Sequence, residues 1–345
     1  MTPKETLLIK RGHNESELAS AARILRDGGL VIIPTETVYG LGCSAYSAIG
    51  AYNVFEAKGR PHDNPLIVHV ADPAEAENFA HTTPLYYKLA KQFMPGPLTV
   101  ILKKKDVIPD EVTAGGGTVG VRCPSHPTAR ELIRLAGVPV AAPSANLSGS
   151  PSPTTFEHCV KDMLGRVDAI VDGGACEVGL ESTVVLLTGE DSLKILRPGA
   201  VDEGALSCVA SDVTVADGLK EGEKPLSPGM KYKHYAPRVP LILLDGTDEA
   251  VASFIDAEMK KGGVFFICYE EDAKKYGNKA YSIGKKEDEA AHAKNLFAAL
   301  RYADELDDAD IKKIYTYLPT DGGTGLLPAI YNRLIRAADH TVMKV

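Results

Sequence analysis

No run of about 18 apolar residues occurs in this 345-residue chain, so no membrane-spanning helix is expected. Cysteine is sparse. The six residues Cys43, Cys123, Cys159, Cys176, Cys208 and Cys268 are irregularly spaced and form no C-x-x-C pair. In a chain this long that pattern reads as reduced thiols of a cytoplasmic protein, not as a disulfide frame. The nine histidines show no H-E-x-x-H or other ligand spacing, so a protein-held metal is not expected. The first twenty residues lack the apolar core of a secretory leader, and export is not expected. Positive charge is also short: 38 Lys and Arg against 46 Asp and Glu leave a net charge of −8. Any handling of nucleotides or nucleic acid must then rely on a local basic site. No G-x-x-x-x-G-K-[ST] is present, which excludes a P-loop. The G-x-G-x-x-G match at Gly115, Gly117 and Gly120 precedes an expected strand where a dinucleotide site would follow one, which weighs against a nicotinamide oxidoreductase.

What is present is a globular composition, 44% hydrophobic and 24% charged, with a length that suits two domains. Leu18, Ala21, Ala22 and Leu25 fall at helical spacing in Glu15–Arg26, with Asn14 placed to cap the start. Ser47 opens a second helix that ends at Lys58 before Gly59 and Pro61. Leu30–Ile33 and Leu66–Val70 are apolar runs bounded by turn residues, the pattern of strands buried on both faces. Further strands are expected at Leu98–Leu102, Thr118–Arg122, Val138–Ala142, Ala169–Val171 and Ser182–Leu187, and helices at Leu85–Phe93, Thr128–Leu135 and Thr155–Met163. Residues 1–210 therefore read as an α/β (α+β) domain with a twisted, mixed sheet. Residues 211–238 are polar and proline-rich, a long linker. From Lys224 to Arg238 the linker carries Lys224, Lys231, Lys233 and Arg238 and no acid, so it is a candidate to lie over an anion, although a solvated tether is the ordinary use of such a run. Residues 239–345 alternate strand and helix, which predicts a smaller Rossmann-like α/β domain.

Several clusters of small polar residues sit at expected strand ends. Pro34–Gly42 follows the first buried strand, and Pro143–Gly149 follows the strand ending at Ala142. Gly179–Val185 and Leu196–Gly199 are two more. Turn chemistry explains any one of them; so many in one domain point to a site. In Lys58–Leu66, two cations at a helix end lead into a turn held by Pro61 and Pro65. Dipole capping accounts for the lysine, but the rigid turn would also fix Arg60 and Asn64 as phosphate recognition requires. Asp321–Gly325 follows a strand and opens a helix; it could receive an anion, with ordinary capping its commoner use.

Taken in order, PTETVYGLG, KGRPHDNPLIVHV, PGPLTVIL, VGVRCPSHP, APSANLSGSPSPT, ESTVV, ILRPG and SPGMKYKHYAP resemble the threonylcarbamoyl-AMP synthase family in its long, two-domain form. The resemblance runs motif by motif over residues 14–238 and covers the rest by architecture and by GTGLLPAIYNRL. It implies a mixed sheet around a deep concave pocket. It also implies a cytoplasmic enzyme that joins L-threonine, bicarbonate or CO2, and ATP with Mg2+ into threonylcarbamoyl-AMP and pyrophosphate. A separate tRNA threonylcarbamoyl transferase would be its partner, with direct tRNA contact not required. By the same resemblance Thr37, His69, Arg122, Ser182 and the backbone at Ala142 would hold threonine. Arg60, Asn64, Thr118, Ser144, Asn146, Ser152, Arg197 and His234 would hold ATP, and Lys58 and Arg60 would serve the phosphates and bicarbonate. Mg2+ would be carried by the ATP phosphates. Three anions must meet, and fixed cations offset their repulsion. Labile carbamate and acyl-phosphate intermediates need water excluded, so Ser227–Pro237 is expected to act as a lid that brings His234 to the nucleotide.

Beside the nicotinamide oxidoreductase already weighed, two alternative functions remain at this stage. A carbamoyl-adenylate-forming enzyme of the hydrogenase-maturation type should bring C-x-x-C zinc fingers, which are missing. A double-stranded RNA or tRNA binding module should present a basic, aromatic-interleaved surface, at odds with a charge of −8. For His69 a satisfied core histidine is the ordinary reading, and for His234 a solvated linker residue.

Overall fold

The structure is a computed structural model that describes residues 3–216, 226, 235–306, 311–319 and 324–345. Two compact units divide it. In chain order the first contains β1 (Leu7–Ile9), α1 (Glu15–Arg26), β2 (Val31–Ile33), β3 (Gly40–Ser44), α2 (Ala48–Lys58), β4 (Ile67–His69), β5 (Ala80–His81), α3 (Pro84–Phe93), β6 (Leu98–Lys104), α4 (Asp110–Thr113), β7 (Thr118–Arg122), α5 (Pro127–Ala136), β8 (Val140–Ala142), α6 (Phe156–Met163), β9 (Ala169–Val171), β10 (Thr183–Leu187), β11 (Ser192–Arg197), α7 (Glu203–Ser207) and β12 (Asp212–Val215).

Local chemistry sets these elements. In α1 the Glu17 amide donates to Asn14 Oδ1 and the Asn14 amide to Glu17 Oε2, a reciprocal cap. Its buried stripe is Leu18, Ala21, Ala22 and Leu25, as the spacing predicts. The Ser47 hydroxyl caps α2, and Gly59 closes it in the left-handed region at φ 62°. The strands β2, β8 and β9 are buried at every residue, which is why they read as unbroken apolar runs.

Twelve strands form one mixed sheet in the order β1-β9-β2-β3-β8-β4-β7-β6-β10-β11-β12, with β5 beside β6. Pairs β4–β7 and β6–β10 are parallel; β3–β8, β6–β7 and β10–β11 are antiparallel. A large core that includes Phe55, Phe79, Tyr86, Leu89 and Val121 packs in this unit, and a smaller one gathers α1 and α5 residues such as Leu25 and Leu132.

Several strands escaped the sequence reading, β1, β5 and β11 among them, and two of them, β3 and β12, have clear physical reasons. In β3, Gly40 and Gly42 weaken the strand signature, yet a Cβ on Gly42 would stand 2.7 Å from Val140 Cγ1 and 3.2 Å from the Val31 carbonyl. Glycine lets β3 lie this close to its neighbours. At the start of the expected linker, Asp212–Val215 is not tether but strand, paired parallel with β11 from Ser192↔Asp212 to Ile195↔Val215. Its mostly exposed edge position explains the polar composition.

The second unit holds Gly149–Pro151, Val178–Leu180 and the described residues from Tyr235 onward. It contains β13 (Leu241–Asp245), α8 (Asp248–Lys261), β14 (Val264–Cys268), α9 (Glu270–Tyr276), β15 (Ala280–Ser282), α10 (Glu289–Glu305), β16 (Lys313–Tyr317), α11 (Leu327–Ala337) and β17 (Val342–Lys344). All its strand pairs are parallel, in the order β15-β14-β16-β13-β17. This is the Rossmann-like α/β architecture the alternating pattern predicts.

Candidate active site

Sheet register gathers three of the five expected threonine residues: His69, Arg122 and Ala142. His69 in β4 lies opposite Arg122 in β7, and Ile67 of the same strand lies opposite Ala142 in β8. On the other side of β7, Val100 pairs with Val121, which brings Thr99 beside Arg122. Thr99 in turn pairs with Val184, and Val184 with Arg197. A row of residues therefore crosses five neighbouring strands, β4, β7, β6, β10 and β11, and is polar at every one but β10, where Val184 stands. The Thr99 and Ser182 hydroxyls lie 2.8 Å apart, while Arg197 donates from Nε to the Ser182 carbonyl (3.1 Å) and from Nη2 to the Ser182 hydroxyl (3.2 Å).

Arg122 is the most informative member. Its side chain and that of Glu36 are each only 5% exposed, and Arg122 Nη2 stands 2.8 Å from Glu36 Oε1. The approach is off the N–H directions: Arg122 Nε, Arg122 Nη2 and Glu36 Oε1 are buried and make no hydrogen bond. Glu36 Oε2 accepts from the Ser125 amide at 3.2 Å. Nε and Nη2 form the edge of a guanidinium that receives a carboxylate by two parallel bonds. Charged donors left unmade in a protein interior are costly, and this edge has the geometry to take a carboxylate.

His69 is 4% exposed, and its Nδ1 lies 3.1 Å from the Ile67 carbonyl. Burial first, and the Arg122 charge second, push its pKa down to about 3. An unfolded histidine titrates near about 6.5. The folded value lies lower, so the unfolded chain takes the proton first. Stability from neutral His69 is complete above about pH 6.5 and is lost as pH falls toward about 3, by up to about 1.4 kcal/mol per unit. Glutamine at position 69 is expected to flatten this part of the acid limb in denaturant titrations. Equal acid slopes in the two proteins would contradict the assignment.

A second group sits at the end of α2. Lys58 is 3% exposed. Its ammonium donates to the Ser144 carbonyl (2.5 Å), the Asn146 carbonyl (2.7 Å) and Asn146 Oδ1 (3.4 Å). The Ser148 amide returns a bond to the Lys58 carbonyl at 2.9 Å, and the Ser144 hydroxyl donates to Asn146 Oδ1 at 2.5 Å. The sequence assigned Lys58 to phosphates and bicarbonate; here its donors clamp the loop that carries Ser144 and Asn146. Asn64 is wholly buried, and its Oδ1 has no hydrogen-bond partner. Arg60 and Thr118 are half-buried. The Ser152 hydroxyl donates to Glu181 Oε1 at 2.6 Å, both groups buried. Thr37 is wholly buried, its hydroxyl 2.9 Å from that of Thr35. His234, and the expected lid from Ser227 onward up to it, lie outside the described residues, as do residues 321–323 of the second candidate anion loop.

Sequence reasoning gave no role to Glu36, Thr99 or Glu181. Each sat inside a quoted motif, but the partner that reveals its part comes from a distant segment. A cavity of about 360 Å³, lined by Arg11, His13, Glu36, His126, Asp172 and Glu177 among others, touches none of the residues assigned from sequence. It reaches the polar row only through Glu36.

Gly199 holds one end of the row in place. A Cβ there would meet the Thr183 amide nitrogen at 2.4 Å and the Ser182 carbonyl carbon at 2.8 Å. Gly199→Ala must push backbone apart, and it is expected to cost about 1–3 kcal/mol of unfolding free energy. Chemical denaturation checks this, and a change within about 0.5 kcal/mol would show that the segment yields.

Buried guanidinium, ammonium, amide and hydroxyl groups at the ends of one mixed sheet define an enzyme acting on small anionic substrates. Arg122 and Arg197 are too deeply enclosed to track the backbone of a nucleic acid. Residues 23–199 match the Sua5–YciO–YrdC family model, described as telomere recombination, and residues 200–339 match the C-terminal domain of threonylcarbamoyl-AMP synthase. A threonylcarbamoyl-AMP synthase of Bacillus subtilis is 44% identical over 337 residues, spanning 96% of this chain and 95% of the relative. One from Pyrococcus abyssi is 38% identical over 348 residues and 98% of each chain. The crystal structure of P. abyssi Sua5 complexed with L-threonine superposes with a TM-score of 0.88 at 36% identity, over 99% of this chain and all of that one. The chain belongs to the threonylcarbamoyl-AMP synthase family, in its two-domain form.

Proposed function

We propose that this chain condenses L-threonine, bicarbonate or CO2, and ATP into threonylcarbamoyl-AMP and pyrophosphate, with the polar row as the threonine site and the Lys58-clamped loop as part of the nucleotide site. The observation that carries the reading is the buried Arg122 edge with two unmade donors. A substrate carboxylate satisfies both at once. Thr37, His69, Ser182 and the backbone at Ala142 surround the amino acid. Arg60, Asn64, Thr118, Ser144, Asn146, Ser152 and Arg197 receive the nucleotide. His69, held neutral, orients rather than accepts protons at physiological pH.

The deprotonated threonine amine attacks the carbon of CO2, releasing a proton, or that of bicarbonate, releasing water, and either route gives the carbamate. The carbamate oxygen then attacks the α-phosphorus in line, and pyrophosphate leaves. Holding the reactants together accounts for much of the acceleration, with effective molarities of about 10⁵–10⁸ M in favourable cases. None of the residues assigned to ATP is a carboxylate. Mg2+ fits as an ion bound by triphosphate oxygens, and the buried, unpartnered Oδ1 of Asn64 is a neutral oxygen suited to it. Such an ion would neutralise the charge of the leaving pyrophosphate. The product carries an activated threonylcarbamoyl group for the adenosine next to the anticodon of tRNA, delivered by a separate transferase in the cytoplasm.

The test is to incubate the protein with ATP, labelled bicarbonate and each amino acid, and to find the adenylate by mass. Label should enter an adenylate with threonine. Product formed equally with every amino acid, or none with threonine, would overturn the reading.

A further inference from the structure

We infer that Glu36 is a specificity-determining residue that recognises the α-ammonium group of the amino-acid substrate, so that the site selects zwitterions through an Arg122–Glu36 pair. The inference rests on the proposed threonine site and adds a second point of contact to it.

The observations are geometric. Glu36 Oε1 and Arg122 Nη2 stand 2.8 Å apart, yet neither forms a hydrogen bond. The carboxylate is anchored through its other oxygen by the Ser125 amide. An acceptor and a two-donor edge, of opposite charge and both unsatisfied, thus lie side by side. An α-amino acid presents the complementary pair, a carboxylate and an ammonium one carbon apart. The two side chains neutralise each other; a zwitterion slips its charges between them and exchanges one poorly aligned ion pair for two hydrogen-bonded ones. Glu36 also borders the cavity of about 360 Å³, which gives its carboxylate room to withdraw as the substrate enters.

Charge balance explains the selectivity. Glu36 and Arg122 sum to zero, and so does a zwitterion, so binding leaves no uncompensated charge in the interior. A ligand with a carboxylate and no amine would bury one net negative charge beside Glu36, which is strongly disfavoured. The contact also holds the nitrogen at a fixed place beside the carboxylate clamp, where the carbon electrophile can reach it once the ammonium has lost a proton.

Calorimetric binding without ATP tests this, using L-threonine and 3-hydroxybutanoate, which lacks the amine. The intact protein is expected to bind threonine at least about tenfold more tightly. In Glu36→Gln that preference should fall to within about threefold, with 3-hydroxybutanoate bound as well as before or better. Equal binding of the two ligands by the intact protein, or an unchanged preference in Glu36→Gln, would overturn the inference. If Glu36→Gln fails to fold, the same ratio in Glu36→Asp decides: a reduced preference supports the role, and an unchanged one refutes it. Failure of the intact protein to bind threonine at all would instead count against the threonine site itself.

Discussion

Lysine in place of Arg122 is expected to raise the threonine concentration for half-maximal synthesis by about 30-fold or more, while the ATP requirement moves by less than about threefold. Lysine keeps the positive charge that compensates buried Glu36, but it is a point donor and cannot offer the paired Nε and Nη2 edge. Alanine is a poorer probe. It would strand the Glu36 carboxylate in the interior at a cost of about 3–5 kcal/mol, and mix lost binding with lost folding. Steady-state kinetics with each substrate varied in turn gives the answer. Equal shifts for threonine and ATP would show that Arg122 does not hold the amino acid.

Lys58→Ala is expected to produce the converse. Its ammonium ties the Ser144 and Asn146 carbonyls to the end of α2, and removal leaves those oxygens without their charged donor. The loop should loosen, ATP affinity should fall by about 100-fold, and unfolding free energy should drop by about 2–4 kcal/mol. Threonine binding measured without nucleotide should stay within about threefold, because these Lys58 bonds hold the Ser144–Asn146 loop and not the Arg122 row. Lys58→Arg should not restore ATP affinity: three oxygens converge on one ammonium nitrogen, a point that a planar guanidinium does not reproduce. Loss of threonine binding equal to that of ATP would mean that the two halves of the site fold as one.

What could be read from the residues was mostly what depends on neighbours in sequence. The stripe and cap of α1, the glycine stop of α2 and the fully buried strands β2 and β9 follow from local spacing and apolar runs. Arg122 was assigned through the family resemblance, and Arg197 through that resemblance and its place in a polar cluster at an expected strand end. Glu36 was not assigned, because its meaning is set by Arg122, far along the chain, and in PTETVYGLG an acid reads as turn chemistry. Thr99 was hidden in the same way inside an apolar strand until Ser182 was placed 2.8 Å from it. Lys58 is a different case: a cation at a helix end invites assignment to an anion, and the fold adds three oxygens of its own chain around it. The glycines of β3 and the polar edge of β12 hid strands whose reasons are tertiary.

The most direct test of the central claim, that one enclosed site brings threonine, bicarbonate or CO2, and ATP together, is exchange of labelled pyrophosphate into ATP. The account predicts exchange only when threonine and bicarbonate are both present, and none when either is withheld. Exchange with ATP alone, or with threonine in bicarbonate-free and CO2-free buffer, would mean that the nucleotide is activated before the carbamate exists, and would contradict it.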